Sequence, residues 1–381
     1  DMEPYLYFQN DRAVEKPTSQ IKGSNTPRGV YWREGAIAPG FKLEEVLPTL
    51  TGKAVALIRE RAAKSSQPFF LYLPLTGPHT PWLATGKFRG SSKAGDYGDF
   101  VAQVDDTLGQ VMRALDEAGL ANNTLLIFTS DNGAHWKPED KAAFPHLANA
   151  NWRGMKADIW EAGHRIPFIA RWPGKIRAGT VSNQLGCLTD LMATVADVVG
   201  VSLPANAGED SYSLLPAFLG RKGKPVRETI VHHSNDGMFA IRQGKWKLAL
   251  GLGSGGFSEP RKVEPRAGEV SGQLYDLASD PQETTNLYRQ QPKIVARLTA
   301  LPGIGRWTAD IYLKFALGRA DAFAAGDLAL AEAARLLYDL PERPGPAALT
   351  ALAEPWRPWR SVAARALWAY YRTAKGREGI R

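Results

Sequence analysis

Apolar residues at Phe100, Val104, Leu108, Val111 and Leu115 fall three and four apart. That spacing puts them on one stripe and predicts an amphipathic helix stopping at Gly119. A second helix is expected around Val55–Ala63. Three short apolar runs, Phe69–Leu73, Leu125–Phe128 and Pro167–Trp172, have the length of buried strands. Strands alternating with helices predict an α/β unit, a mainly parallel sheet with helices on its faces. From about Arg227 the pattern tightens into short strands, Ile230–His233, Met238–Arg242 and Trp246–Leu250, with Gly237 and Gly244 as turn residues. These predict a small antiparallel meander. Gly251–Gly272 reads as a loop, and after Gln273–Leu277 the Asp280-Pro281 pair turns the chain into a helix expected from about Pro292.

At Leu301 the texture changes. The remaining residues are Ala-rich with helical spacing and include Trp307, Trp356, Trp359 and Trp368. Domain boundaries usually fall in exposed Gly-, Pro- or polar-rich linkers, yet none precedes Leu301-Pro302-Gly303. The expected division is residues 1–226 and 227–299, α/β with an antiparallel subdomain, then an all-α unit over 300–381.

Composition narrows the classes. With 44% hydrophobic and 23% charged residues the chain is globular. No apolar run approaches the roughly 20 residues that span a bilayer, so no membrane partner is expected. Cys187 is the single cysteine, which excludes an intramolecular disulfide or an iron–sulfur cluster. The formal charge is +8, and residues 301–381 hold 12 Lys/Arg against 8 Asp/Glu, a bias that suits a polyanion partner or plain solubility. The opening Asp1-Met2 implies a true N-terminus further upstream. No basic-then-apolar leader is visible, which favours the cytoplasm while leaving the compartment open.

Ser130-Asp131-Asn132-Gly133 comes directly after a predicted strand. Ligands of open α/β sheets gather at the carboxyl ends of strands, and adjacent hard oxygen donors suit Ca²⁺ or Mg²⁺. Taken alone, the tetrapeptide is a turn before it is a site. Its surroundings are FFLYLPLTGPHTP (Phe69–Pro81), RGMKADIWEAGHRIPFIARWPGKI (Arg153–Ile176), AGEDSYSLLP (Ala207–Pro216) and LYDLASDPQETTNL (Leu274–Leu287). In this order over about residues 1–299 they resemble the sulfatase family, of alkaline-phosphatase-like fold, and its arylsulfatase branch. The resemblance implies sulfuric ester hydrolysis, with Asp131 and Asn132 as ligands of a divalent cation and His79 and Lys156 as sulfate contacts. One element departs. The family's nucleophile is a formylglycine made in a Cys/Ser-x-Pro-x-Arg motif, and no such motif occurs in this chain. Cys187 lacks the proline and arginine and reads as a small buried residue. Ser258-Glu259-Pro260-Arg261-Lys262 ends in lysine and lies in the wrong region. The family's N-terminal acidic pair and Lys/His segment are expected upstream of the residues present, so turnover by this chain alone is not expected.

Leu301-Pro302-Gly303-Ile304-Gly305 lies between two helical stretches, Lys293–Ala300 and Trp307–Leu317. Glycines two apart let backbone N–H groups hold a DNA phosphate, though such a string is usually a plain helix–helix turn. Asp327 precedes an apolar helical stretch and reads first as an N-cap. Together LPGIGRWTADIYL, DAFAAGDLAL and EPWRPWRSVAARALWAYY resemble the helix-hairpin-helix DNA glycosylases of the DNA-3-methyladenine glycosylase II type, over about residues 298–375. The resemblance implies Asp327 as catalytic carboxylate and Gly303, Ile304 and Gly305 as a phosphate grip. Trp307 and Trp368 would form the pocket for an alkylated base flipped from double-stranded DNA. Tryptophan at 307, where bifunctional relatives carry lysine, implies monofunctional hydrolysis in base excision repair. The expected whole is a chimera, two incomplete enzymes joined near Ala300. The alternatives are a glycosylase with a non-catalytic sulfatase-like extension, and a module that only binds a cation and a sulfated ligand.

Overall fold

The computed structural model describes residues 3–64, 67–204, 207–208, 210–221, 223–301 and 320–375. Two helices form the first packed unit. α1 (Val46–Ala62) and α2 (Gly95–Glu117) bury Ala54 and Ile58 against Val111, Ala114 and Leu115. The residues predicted from the three-and-four spacing are those that α2 turns inward, save Leu108. The helix ends just before Gly119, whose φ of 68° is a left-handed conformation that glycine adopts without strain.

The strand expected over Phe69–Leu73 is not one. The segment pairs with no strand among the described residues. Its side chains alternate: Phe69, Leu71 and Leu73 face the α1–α2 core, while Phe70 and Tyr72 are 79% and 76% exposed. A continuous apolar run predicted two buried faces; only one is covered. The mainly parallel sheet is likewise absent from the described residues. β5 (Leu126–Thr129) pairs with β6 (Phe168–Arg171) antiparallel, Leu126 opposite Arg171 and Thr129 opposite Phe168. The short strands of the first forty residues, β1 (Phe8–Gln9) with β2 (Arg12–Ala13) and β3 (Ser19–Ile21) with β4 (Gly35–Ile37), are antiparallel too.

The meander forms as expected. β7 (Thr229–His233), β8 (Phe239–Gln243), β9 (Trp246–Ala249) and β10 (Gln273–Asp276) make one antiparallel sheet in the order β10-β9-β8-β7. One face packs on Ile159 and Trp160 through Ala240, Ala249 and Tyr275. Ile241, Leu248 and Leu274 instead cover Leu298 of the helix Pro292–Thr299. Period-two alternation decides which side chain goes to which face.

Beyond residue 319 the described elements are all helical: Leu328–Leu337, Pro346–Ala353 and Arg360–Lys375, with one short 3₁₀ turn at Glu354–Trp356. Their core is Phe323, Leu330, Leu349, Leu367 and several alanines, all from residues 323–367.

Candidate functional site

β5 delivers the chain into Ser130-Asp131-Asn132-Gly133, and backbone bonds fix that turn. Gly133 N–H donates to the Gly163 carbonyl (3.0 Å), and Lys156 N–H to the Ala134 carbonyl (3.1 Å). Asn149 closes the corner by bonding both the N–H and the carbonyl of Ala134, at 2.9 and 2.8 Å. A Cβ on Gly133 would sit 1.7 Å from the Ala162 carbonyl oxygen, so only glycine lets the two stretches touch. The Lys156 and Asp131–Asn132 segments are therefore neighbours through main-chain contacts, although 24 residues separate them in sequence.

Asp131 is exposed, and its carboxylate has no hydrogen bond or ion pair among the described residues. Asn132 donates its amide N–H to the Gly133 carbonyl at 3.0 Å, and its side-chain oxygen accepts no hydrogen bond among the described residues. Lys156 is half-buried and likewise has no side-chain partner among the described residues. A free carboxylate beside a free amide oxygen fits the hard-donor chemistry of Ca²⁺ or Mg²⁺. Among the described residues no three His, Cys, Asp or Glu side chains converge on a metal position.

His79 lies on an exposed loop, its Nδ1 2.8 Å from the Thr80 carbonyl oxygen. Leu75 and Trp82, which flank it, share an apolar cluster with Phe128 of β5. An aromatic chain runs on from Trp82 to Tyr97 (5.3 Å between centroids) and from Tyr97 to Trp136 (4.8 Å). This packing ties the histidine loop to the segment that comes after Asp131.

Three residues that sequence reasoning missed border the turn. The His135 ring lies 5.2 Å from that of Phe257. Burial, then the charges of Arg28, Lys137 and Lys156, hold His135 down to about 4, so its imidazole is neutral at pH 7. Arg28 donates to the His135 carbonyl (3.0 Å) and grips Asp140 through its Nε (2.7 Å) and a second contact. Position 135, three beyond Asn132, was the available signal for one of them; for Phe257 the sequence offers none.

The two discounted nucleophile candidates have structural partners. Ser258 Oγ donates to the buried Asp158 at 2.5 Å. Cys187 is half-buried, with Sγ 2.9 Å from Thr189 Oγ1, and burial pushes its thiol up.

In the C-terminal helices Asp327 is 8% exposed and caps Leu328–Leu337, accepting the Leu330 N–H at 2.8 Å. The same oxygen accepts from Trp368 Nε1 at 3.0 Å. Trp368 also packs on the surrounding apolar cluster, so its core reading and its contact with Asp327 both hold. Gly303, Ile304, Gly305 and Trp307 lie outside the described residues.

Comparison with known proteins bears on the first of these sites. Residues 13–201 match the family described as Sulfatase. An N-acetylgalactosamine-6-O-sulfatase of Bacteroides thetaiotaomicron is 34% identical over 301 residues, covering 77% of this chain and 58% of that protein. The mouse N-acetylgalactosamine-6-sulfatase is 36% identical over 52% of this chain and 37% of its own length. The chain thus spans well under two thirds of either relative. Among solved structures, one from the study of glycosaminoglycan metabolism by B. thetaiotaomicron superposes with a TM-score of 0.62 at 32% identity, covering 72% of this chain and 57% of the other. A sulfatase from Pseudoalteromonas sp. gives a TM-score of 0.55 at 28% identity over 68% of this chain and 51% of its own. These neighbours support the alkaline-phosphatase-like sulfatase fold.

Proposed function

We propose that this chain, whose residues 13–201 match the sulfatase family, supplies the cation- and sulfate-binding part of a sulfuric ester hydrolase acting on a sulfated carbohydrate. The observation that carries this reading is the juxtaposition of Asp131 and Lys156 through the main-chain bond from Lys156 to Ala134, neither side chain having a partner among the described residues. A bound divalent cation would polarise the ester oxygens and stabilise negative charge as the S–O bond breaks. Asp131 and the Asn132 amide oxygen would hold it. The Lys156 ammonium and the His79 ring would donate to sulfate oxygens, and a half-buried ammonium does so at lower effective dielectric than a solvated one. The N-acetylgalactosamine 6-sulfate specificity of the relatives makes that sugar the first ligand to try.

Calorimetric titration with Ca²⁺ tests the reading directly. The wild-type chain should give a binding isotherm that Asp131→Ala abolishes and Lys156→Ala largely retains. Identical traces for wild type and Asp131→Ala would end the assignment. With no Cys/Ser-x-Pro-x-Arg motif among the 381 residues, binding without turnover is the expected behaviour. Hydrolysis of an aryl sulfate by this chain would mean that another nucleophile operates.

A second reading belongs to the C-terminal helices and rests on the 3.0 Å contact between Trp368 and Asp327. A carboxylate held at a helix N-terminus beside an indole suits stabilisation of a cationic sugar as an N-glycosidic bond breaks, with an electron-poor base against the ring. On this reading the chain joins a DNA-3-methyladenine glycosylase II-like part to the sulfatase domain near Ala300. Asp327→Asn separates the two roles of the side chain, since asparagine caps a helix as well as aspartate does. The variant should keep wild-type stability and release no 3-methyladenine from alkylated DNA. Absence of release by the wild type would remove the catalytic role and leave the cap. Unamplified genomic reads across codons 285–310 test whether the join is continuous in one gene.

A further inference from the structure

Phe257 stands on a loop, Gly251–Gly272, which is held far more tightly than its composition suggests. The fully buried Asp158 is the anchor. One of its oxygens accepts the N–H groups of Phe257 (2.7 Å) and Ser258 (3.0 Å), and the other accepts Ser258 Oγ (2.5 Å). Ile159 N–H donates to the Ser254 carbonyl (2.8 Å), and Ser254 Oγ accepts the Gly256 N–H (3.0 Å). At Gly256 a Cβ would lie 2.4 Å from the backbone of Ala157, so the two main chains touch. Asp158 lies two residues beyond Lys156, and the same bonds that order the loop fix Phe257 beside the proposed sulfate site. Yet the ring is 46% exposed. A rigid backbone presenting a large apolar ring to solvent next to polar binding groups is the arrangement of a ligand platform.

The ring's neighbours indicate the ligand. On one side is the His135 imidazole, 5.2 Å away and tilted by 56°. Around that imidazole stand the charges of Lys137, Lys156 and Arg28, the last paired with Asp140. The surface therefore offers an apolar face, a neutral nitrogen able to exchange a hydrogen bond, and cations. A sulfated pyranose has the matching parts: an apolar C–H face, hydroxyl groups and one fixed negative charge. We infer that Phe257 and His135 form the platform on which the sugar ring of a sulfated carbohydrate rests, setting specificity for the sugar while Lys156 and the Asp131–Asn132 pair take the sulfate. This rests on the sulfate-binding reading above. Phe257 is a specificity residue here and takes no part in bond cleavage.

The test uses the whole chain with Ca²⁺ and two probes, inorganic sulfate and N-acetylgalactosamine 6-sulfate, titrated in parallel. Phe257→Ala should weaken the sugar sulfate about tenfold, the loss of one well-packed ring contact, and move inorganic sulfate less than twofold. Phe257→Leu, which keeps apolar bulk without the flat face, should also weaken the sugar, whereas Phe257→Tyr should retain it. The Leu and Tyr pair decides the matter if the alanine variant unfolds. Unchanged sugar affinity in Phe257→Ala and Phe257→Leu, with both probes still binding, would overturn the platform and leave the sulfate site standing. Failure of the wild type to bind either probe would bring down the sulfate reading, and the platform with it.

Discussion

Gly133 shows how one missing methyl group sets the geometry of the site. The 1.7 Å between its virtual Cβ and the Ala162 oxygen is a backbone clash, which no rotamer change can relieve. Gly133→Ala should therefore cost about 1–3 kcal/mol in stability and weaken Ca²⁺ binding, because the displaced strand end carries Asp131 and Asn132. Chemical denaturation and calorimetry check this; an unchanged midpoint with an unchanged isotherm would show that the contact is not needed. The turn that carries Asp131 and Asn132 was legible in the sequence, since Ser-Asp-Asn-Gly directly after a predicted strand reads as one. Phe257 was not. Its placement depends on Asp158, a residue about a hundred positions away, one of whose oxygens accepts two backbone N–H groups of the Phe257 loop.

At the scale of elements, the short helix Glu161–His164 meets β7 through two histidines. The rings of His164 and His232 lie 4.1 Å apart, and the Nε2 of each is buried with no hydrogen-bond partner among the described residues. Beside them Lys247 bridges Glu161 (3.1 Å) and Glu283 (2.9 Å), all nearly inaccessible. Arg242 and Arg165 add to the field at Glu161, which stays ionised, while burial pushes Glu283 up. Burial first, then the Lys247 charge, hold His164 down to about 4; burial and His164 hold His232 well below its ordinary value. Both fold in the neutral form. Below pH 6.5 the unfolded chain takes up protons that the fold excludes, so stability is full above 6.5 and falls as pH drops towards about 4. For His164 the loss amounts to about 3 kcal/mol across that window. Urea unfolding from pH 7.5 to 4 should show this slope, and His164→Gln should flatten it. A parallel decline in wild type and variant would assign the acid sensitivity elsewhere. The meander and its glycine turns were readable from period-two alternation. Phe69–Leu73 misled because an apolar run states what a segment can bury, not how many faces find a partner.

Across the whole molecule two kinds of core coexist. The clusters below residue 302 join α1 with α2 and the four-stranded sheet with Ile159, Trp160 and Leu298, whereas the cluster at Phe323–Leu367 is built, among the described residues, from its own helices. Apolar contacts so divided should melt separately. Calorimetry is expected to give two transitions, with only the one belonging to residues 3–301 rising on addition of Ca²⁺. A single transition that Ca²⁺ moves as one would show that the parts fold as one cooperative unit. The change of texture at Leu301 is the sequence signal for such a division, because composition and helical spacing can change even where no linker is present. The parallel sheet was less legible: alternation of strands and helices gives element order, while strand direction depends on which neighbours pair, and β5 with β6 pair antiparallel.

The anchoring of Phe257 through Asp158 has a bearing on how such a site could be altered. Of the twenty-two positions from Gly251 to Gly272, the grip on Asp158 and its neighbours uses chiefly Ser254, Gly256, Phe257 and Ser258. The stretch Lys262–Glu269 is exposed and takes no part in it. The loop is in effect a cassette with a fixed plug and a replaceable body. On the platform proposal, substituting the ring at 257 or lengthening the exposed body exchanges one sugar preference for another while leaving the bonds to Asp158 in place.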